Sequence, residues 1–321
     1  MKLLLSLLPL LLFSNVTVDQ RAPSGVNVFV DGYLLYWTAR QDGIAFARQG
    51  VTDLDHIVTS KQDTLFPGND WDVGFRVGIG VHLDHDNWNT GFTYTRFTSD
   101  DSNNKEGSFA TTWDVGGIQG VTSQGFTVPI LARYGEADWS LIYNNFVLAL
   151  SKDFSASPFV VFRPCIGLAA TWHKQTYDVL YLQLSQSTSY RMNLKQNNWG
   201  IGLLGGLESD WFISKWWGFY GKIALASLWS RFHITREDEV SGDRLVYNTT
   251  NFHTVKAMLD LGLGLRFDYS PESGKVHLSG SVGWEEQVWF NENQFQRISY
   301  SSGLQGDLIL QGLSVKLRLD Y

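Results

Sequence analysis

From Trp71 to Leu83 every second residue is apolar. Trp71, Val73, Phe75, Val77, Ile79, Val81 and Leu83 alternate with Asp72, Gly74, Arg76, Gly78, Gly80 and His82. Period two predicts a strand with one greasy face, because successive side chains leave a strand on opposite sides. The pattern recurs from Phe252 to Tyr269. Val255, Ala257, Leu259, Leu261, Leu263, Leu265 and Phe267 lie on one side there, and Lys256, Met258, Asp260, Gly262, Gly264, Arg266 and Asp268 on the other. A strand that long spans roughly 56 Å at ~3.3 Å per residue, more than a soluble domain ordinarily needs. Alternation also marks Phe159 to Lys174, Trp199 to Trp211, Trp217 to Ser230 and Val276 to Trp284, and Val26 to Trp37, Trp88 to Phe97 and Trp139 to Phe154 complete the set. The final stretch places Ile309, Leu313, Val315, Leu317, Leu319 and Tyr321 opposite Leu310, Gly312, Ser314, Lys316, Arg318 and Asp320.

The connections alternate in length. Short turns are predicted at Asp84–Asn87, Ser155–Pro158, Ile213–Trp216 and Ser270–Gly274, and long polar loops at Thr38–Asp70, Thr98–Asp138, Gln175–Gln196, His233–Phe252 and Asn291–Asp307. Short turns on one side and long loops on the other organise a transmembrane barrel. Five loops and four turns give ten strands, with both ends on the short-turn side; a hairpin around Phe126 to Ala132 would make twelve.

Hydropathy narrows the choice. Residues 1–13 read as a secretory signal, with Lys2 before an apolar run from Leu3 to Phe13. This assigns 1–22 to a signal peptide cleaved between Ser14 and Ala22, and 23–321 to the mature domain. Beyond it no run of 18 apolar residues occurs, so a transmembrane helix is not predicted. In lipid every backbone N–H and C=O needs a partner, which leaves a closed sheet. The expected fold is therefore all-β, an antiparallel up-and-down transmembrane β-barrel. Trp199 and Trp211 lie twelve residues apart on one face, as do Trp217 and Trp229. At ~3.3 Å per residue and a tilt of roughly 40° that separation covers about 30 Å of barrel axis. Trp71, Trp172, Trp199, Trp211, Trp217, Trp229 and Tyr321 are thus expected at the two membrane interfaces.

If the apolar face meets lipid, the other faces water in the lumen. Arg76, Arg163, Lys222, Lys256, Asp260, Arg266 and Lys316 are then the pore-lining candidates, with a cationic lean that favours anionic solutes; loop carboxylates such as Asp100, Asp101, Glu106, Glu237, Asp238 and Glu239 oppose it at the mouth. The whole chain is mildly acidic, 25 Lys plus Arg against 32 Asp plus Glu, which argues against nucleic acid. Cys165 is the sole cysteine, so neither an intrachain disulfide nor a Cys-based zinc site can form. No cofactor, metal or catalytic residue is expected. His82, Asp84, His85 and Asp86 cluster on a predicted periplasmic turn, where Asp is an ordinary residue. His173, His233 and His253 fall near outer strand ends, where a hydrolase site would have to be built. The glycines of Gly200-Ile-Gly-Leu-Leu-Gly sit inside an alternating strand with no helix to cradle phosphate.

Several segments carry a resemblance. Asp31-Gly-Tyr-Leu-Leu-Tyr-Trp-Thr-Ala followed by Asp42-Gly-Ile-Ala-Phe-Ala, then Trp71-Asp-Val-Gly-Phe-Arg-Val-Gly-Ile-Gly, Asn144-Asn-Phe, Arg163-Pro-Cys-Ile-Gly-Leu and Asn198-Trp-Gly-Ile-Gly occur in order. Together they resemble the chlamydial major-outer-membrane-protein-like family, including its Legionella-type pore-forming relatives. The resemblance implies an outer-membrane porin for passive diffusion of small hydrophilic solutes. A plugged structural or adhesin-type barrel is the first alternative and a barrel hydrolase the second. Expected partners are outer-membrane lipid and lipopolysaccharide, the barrel-assembly machinery through the C-terminal strand, and further copies of the chain in a homo-oligomer. Cysteine cross-linking, common in chlamydial members, is excluded here by Cys165 standing alone.

Overall fold

The computed structural model describes residues 27–50, 63–83, 87–117, 120–121, 127–128, 130–184, 187–270, 276–298 and 306–321. The predicted signal segment and the residues 84–86 of the His82 cluster lie outside them. Ten strands form the wall: β1 Asn27–Gln41, β2 Trp71–Leu83, β3 Trp88–Thr111, β4 Leu131–Lys152 and β5 Val160–Gln183, then β6 Ser189–Phe212, β7 Trp217–Val240, β8 Asp243–Tyr269, β9 His277–Asn293 and β10 Gly306–Asp320. Each pairs antiparallel with its sequence neighbours, and β10 pairs β1. The seam is shut by reciprocal backbone bonds: the Val28 N–H donates to the Tyr321 carbonyl at 3.0 Å and the Tyr321 N–H to that of Val28 at 2.9 Å. The chain is a closed, ten-stranded antiparallel β-barrel. The twelve-strand alternative is not realised; Gly120–Val121 and Thr127–Val128 pair only with each other, off the wall.

Across its middle the outer surface is a continuous apolar band, with Val77, Ile79, Leu148, Leu168, Leu203, Leu225, Leu263 and Val315 all exposed. Trp71, Trp172, Trp199 and Trp229 border it on the loop side, and Trp211, Trp217 and Tyr321 on the turn side, all exposed. Trp172 pairs Trp199, and Trp229 pairs the adjacent Ile201, so neighbouring strands carry the outer belt at one level. Aromatics at both edges of an apolar wall match the two interfaces of a bilayer.

Inside the band the glycines have a steric purpose. A Cβ on Gly202 would collide with the Ser227 carbonyl of the neighbouring strand, so only glycine allows the tight coiling there. A test of the lipid assignment follows from Leu263, which is 67 % exposed between the belts. Leu263→Arg is expected to destabilise the folded barrel by ~2–4 kcal/mol, and Trp199→Arg, at the interface, by only ~0–1 kcal/mol. Urea titrations in lipid vesicles read the difference. Equal losses at both positions would refute a hydrocarbon band.

Beyond the outer belt the structure departs from the sequence expectation. The predicted loops Thr98–Asp138, Gln175–Gln196 and His233–Phe252 are largely strand: β3 runs on to Thr111, β5 to Gln183, and β7 turns into β8 through Ser241 and Gly242 alone. Their φ values of 51° and 92° give the left-handed two-residue turn that suits the twist of a hairpin. The reason is a change of solvent. Within the band β7 turns Leu225 and Trp229 outward, whereas above it Arg231 and His233 face out and Phe232 and Ile234 face in. Once lipid gives way to water outside, the apolar parity inverts, and a search for one unbroken greasy face stops at the inversion.

Candidate functional site: the barrel lumen

The lumen is filled in three tiers. Near the turn end it holds a cavity of about 80 Å³ lined by Arg76, Arg163, Lys222, Arg266 and Lys316, with Glu208, Asp210, Glu285 and Arg318 among them. That is room for a few waters. All but one of these cations contact carboxylates. Arg76 meets Glu285 at 2.9 Å and Lys222 meets Asp260 at 2.7 Å. Arg163 contacts Asp153, Glu208 and Asp210, the last two at 3.2 and 3.7 Å. Arg266 holds Asp210 at 2.6 Å and Asp268 at 2.7 Å, and Arg318 holds Asp320 at 2.7 Å. Lys316 lies instead 5.0 Å from the Tyr33 ring centroid, where a cation meets the negative face of an aromatic. Charges confined in a narrow lumen need such partners or water, because desolvation is otherwise prohibitive.

The middle tier is polar and buried. The Tyr143 hydroxyl donates to Gln287 Oε1 at 2.7 Å, and Gln287 Nε2 donates to Asp260 at 3.3 Å. Just above, the fully buried Glu292 carboxylate accepts from Lys256 Nζ at 2.8 Å and from Asn198, and meets His173 Nδ1 at 2.9 Å. Trp289 covers the group, its ring 4.7 Å from His173 and 4.8 Å from the Lys256 ammonium. Lys256, placed among the pore-lining candidates, is 2 % exposed and sealed by this packing.

The outer tier is apolar. Wall residues Phe97, Tyr177, Tyr181, Met192, Leu194, Phe232, Ile234 and Leu310 point inward and are fully buried. Connecting segments insert Ile44, Phe46, Trp113 and Phe295 between them. Backbone carbonyls on those segments are tied to the wall: the Tyr177 hydroxyl donates to Ile44 O at 2.7 Å and that of Tyr181 to Phe46 O at 2.6 Å. Trp113 Nε1 donates to Ala45 O at 2.9 Å. Arg236, bonded to Asp238 at 2.7 Å, also reaches the Ile298 carbonyl at 3.3 Å, while Asp238 accepts from the Gly116 N–H at 2.6 Å. Together these described side chains close the outer half.

All seven pore-lining candidates face inward, but they divide between the charged cavity and the buried middle tier. Sequence reasoning did not single out Glu208, Asp210, Glu285 and Glu292, which pair with Arg76, Arg163, Arg266 and Lys256; the signal available was the need of an inward cation for a counter-charge. A plugged lumen stands among the sequence expectations as the first alternative, but the aromatic residues that fill it go unidentified because of the parity inversion. The histidines set aside for hydrolysis are dispersed. His173 is buried on Glu292, His233 Nδ1 bonds Asn251 on the outer surface at 2.7 Å, and His253 stacks on Trp229 at 4.7 Å. His82 contacts Asn89 and, at 2.9 Å, Asp320.

The sequence profile described as Legionella pneumophila major outer membrane protein precursor matches residues 28–321. Among solved structures, the chain is similar to the outer membrane protease OmpT of Escherichia coli, with 12 % identity, TM-score 0.47, and 95 % of this chain and 99 % of that one covered. It is also similar to a major outer membrane protein of Thermus thermophilus, with 10 % identity, TM-score 0.35, and 92 % and 100 % covered. A Pseudomonas aeruginosa FadL homologue shares 11 % identity at TM-score 0.29 over 92 % and 90 %. No curated protein matches the sequence.

Proposed function

This chain belongs to the Legionella major outer membrane protein family and lies in the bacterial outer membrane, and from that premise we propose that it is a non-enzymatic channel for small hydrophilic solutes, held shut at its outer half. One observation supports the reading: a cavity lined by charged side chains lies below a cluster of buried apolar side chains, and part of that cluster sits on connecting segments rather than on the wall. A wall-borne filling moves only with the barrel. Connecting segments, held by aromatic packing and by hydrogen bonds each worth ~0.5–1.5 kcal/mol net, can withdraw while the ten-stranded wall stays closed.

Purified protein in a planar bilayer should spend most of its time closed, with brief steps. Sugar-driven liposome swelling should be correspondingly slow. A steady open conductance from the moment of insertion would overturn the shut state.

A second reading, a structural surface barrel, is favoured by the wall's height. From Trp172 at the outer belt β5 continues to Gln183, which at ~3.3 Å per residue and roughly 40° tilt lifts the rim about 25–30 Å above the interface. Such a rim displays a large surface whether or not solutes pass. The two readings part on whether loosening the plug produces current.

A further inference from the structure

Several outward charges around the rim are matched. Arg40 pairs Asp42 at 3.3 Å, Arg191 pairs Asp178 at 3.2 Å, and Arg244 pairs Glu237. Lys174, Lys195 and Arg231 are not. All three are exposed, point away from the lumen, and have no ionic partner among the described residues. They fall on three consecutive strands, β5, β6 and β7, immediately on the loop side of the tryptophan belt. Lys174 stands two residues beyond Trp172, Lys195 four residues beyond Trp199, and Arg231 two residues beyond Trp229.

The register draws them into one patch. Lys174 is paired with Asn197, and Asn197 with His233; one step lower, Trp172 is paired with Trp199, and Trp199 with Arg231. Lys174 and Lys195 are diagonal neighbours, about 7–8 Å apart at the backbone. Lys174 and Arg231 lie two strand spacings of ~4.8 Å apart across the sheet and a two-residue step of ~6.6 Å apart along it, about 12 Å at the backbone and within the span of a headgroup bearing two phosphates. Beneath them Trp199 and Trp229 meet edge to face at 5.7 Å, and beside them the amides of Asn197 and Asn251 offer further polar contacts. An aromatic floor at the interface, with unmatched cations directly above, suits an anion whose tail runs down the apolar wall.

We propose that this patch seats a phosphorylated lipid headgroup of the outer leaflet, with phosphate oxygens on Lys174, Lys195 and Arg231 and the acyl chains along the wall below Trp172 and Trp199. Charge complementarity and position argue for a membrane-borne ligand over a free ion. The cations project over the lipid annulus rather than into the lumen, and the tryptophans under them already sit at headgroup level. Compensating all three requires more than one negative charge, which a glycolipid bearing two phosphates supplies.

The test is a titration of the folded, detergent-solubilised protein with a bis-phosphorylated glycolipid, read by native mass spectrometry. Its dephosphorylated form and inorganic phosphate serve as the comparison arms. Lys174→Gln/Lys195→Gln/Arg231→Gln should weaken binding of the phosphorylated lipid at least ~10-fold, since each surface cation contributes to attraction for anionic lipid. Lys174→Arg/Lys195→Arg should retain it. Heat-modifiable migration verifies that each variant is folded, and if the triple variant fails that check the single Lys195→Gln replaces it, with an expected loss of ~3-fold or more. Equal affinity for the dephosphorylated lipid, unchanged binding by the neutralised variant, or inorganic phosphate alone competing the lipid away would overturn the proposal.

Discussion

Glu292→Ala should destabilise the barrel by ~3–5 kcal/mol, because it strands a charge that nothing else can take. Lys256 is 2 % exposed, and its ammonium donates to Glu292 at 2.8 Å. His173 and Asn198 lean on the same carboxylate. With the acid gone, Lys256 must lose its proton or draw water into a site packed by Trp289. Removing both charges is a different experiment. Lys256→Met combined with Glu292→Ala leaves no unpaired ion, so the double variant should be markedly more stable than the sum of the two single losses, as expected of residues in direct contact. Urea unfolding in lipid vesicles, followed by tryptophan fluorescence, gives all three values. Additive losses, or a single-variant loss under ~1 kcal/mol, would mean that the middle tier is hydrated and the pair is not sealed.

The second large effect concerns the plug. Phe46 and Trp113 are buried in the outer lumen on connecting segments, not on wall strands. Phe46→Ala with Trp113→Ala removes two aromatic side chains from a closed state whose polar anchors, the Tyr177 and Tyr181 hydroxyls on Ile44 O and Phe46 O, remain. Truncating a buried aromatic ordinarily loses ~3–5 kcal/mol, less where the site can collapse. Even ~3 kcal/mol of that, if it falls on the closed state alone, shifts an open–closed equilibrium by roughly 100-fold. Single-channel recordings of the double variant should therefore show open dwell fractions at least ~10-fold above those of the unaltered protein. A variant that is folded, inserted and electrically silent would defeat the channel reading and leave the structural surface barrel.

What the sequence disclosed, and what it hid, follows from which solvent each face meets. Between the belts the outside is hydrocarbon, so Trp71, Val73, Phe75, Val77 and Ile79 announce their strand without help, and the ten wall strands could be counted from such runs and their spacers. The belt tryptophans were legible for the same reason. Above the belt both faces change partners. In β6, Tyr190, Met192 and Leu194 are buried inside while Arg191 and Lys195 are exposed outside, so the alternation persists with its sense reversed. Polar residues in that stretch looked like loop because the reading assumed lipid outside throughout. The segment Asp42-Gly-Ile-Ala-Phe-Ala was noticed for its resemblance, yet nothing in its six residues says that Ile44 and Phe46 turn into the lumen. That depends on Tyr177 and Tyr181, more than 130 positions away. Counter-charges suffer similarly: Arg76 was assigned inward, but its partner Glu285 stands 209 positions along the chain, and only closure of the ring brings them together.

The bonds between Val28 and Tyr321 leave the wall without a first or last strand. An open sheet can unravel from its margin one ladder at a time, each rupture exposing the next. In a hoop every strand is clasped on both flanks, and the initial breach must sever a whole ladder inside a solvent that offers the freed amides nothing in return. Closure therefore acts on the rate of escape from the folded state, through the height of that first threshold.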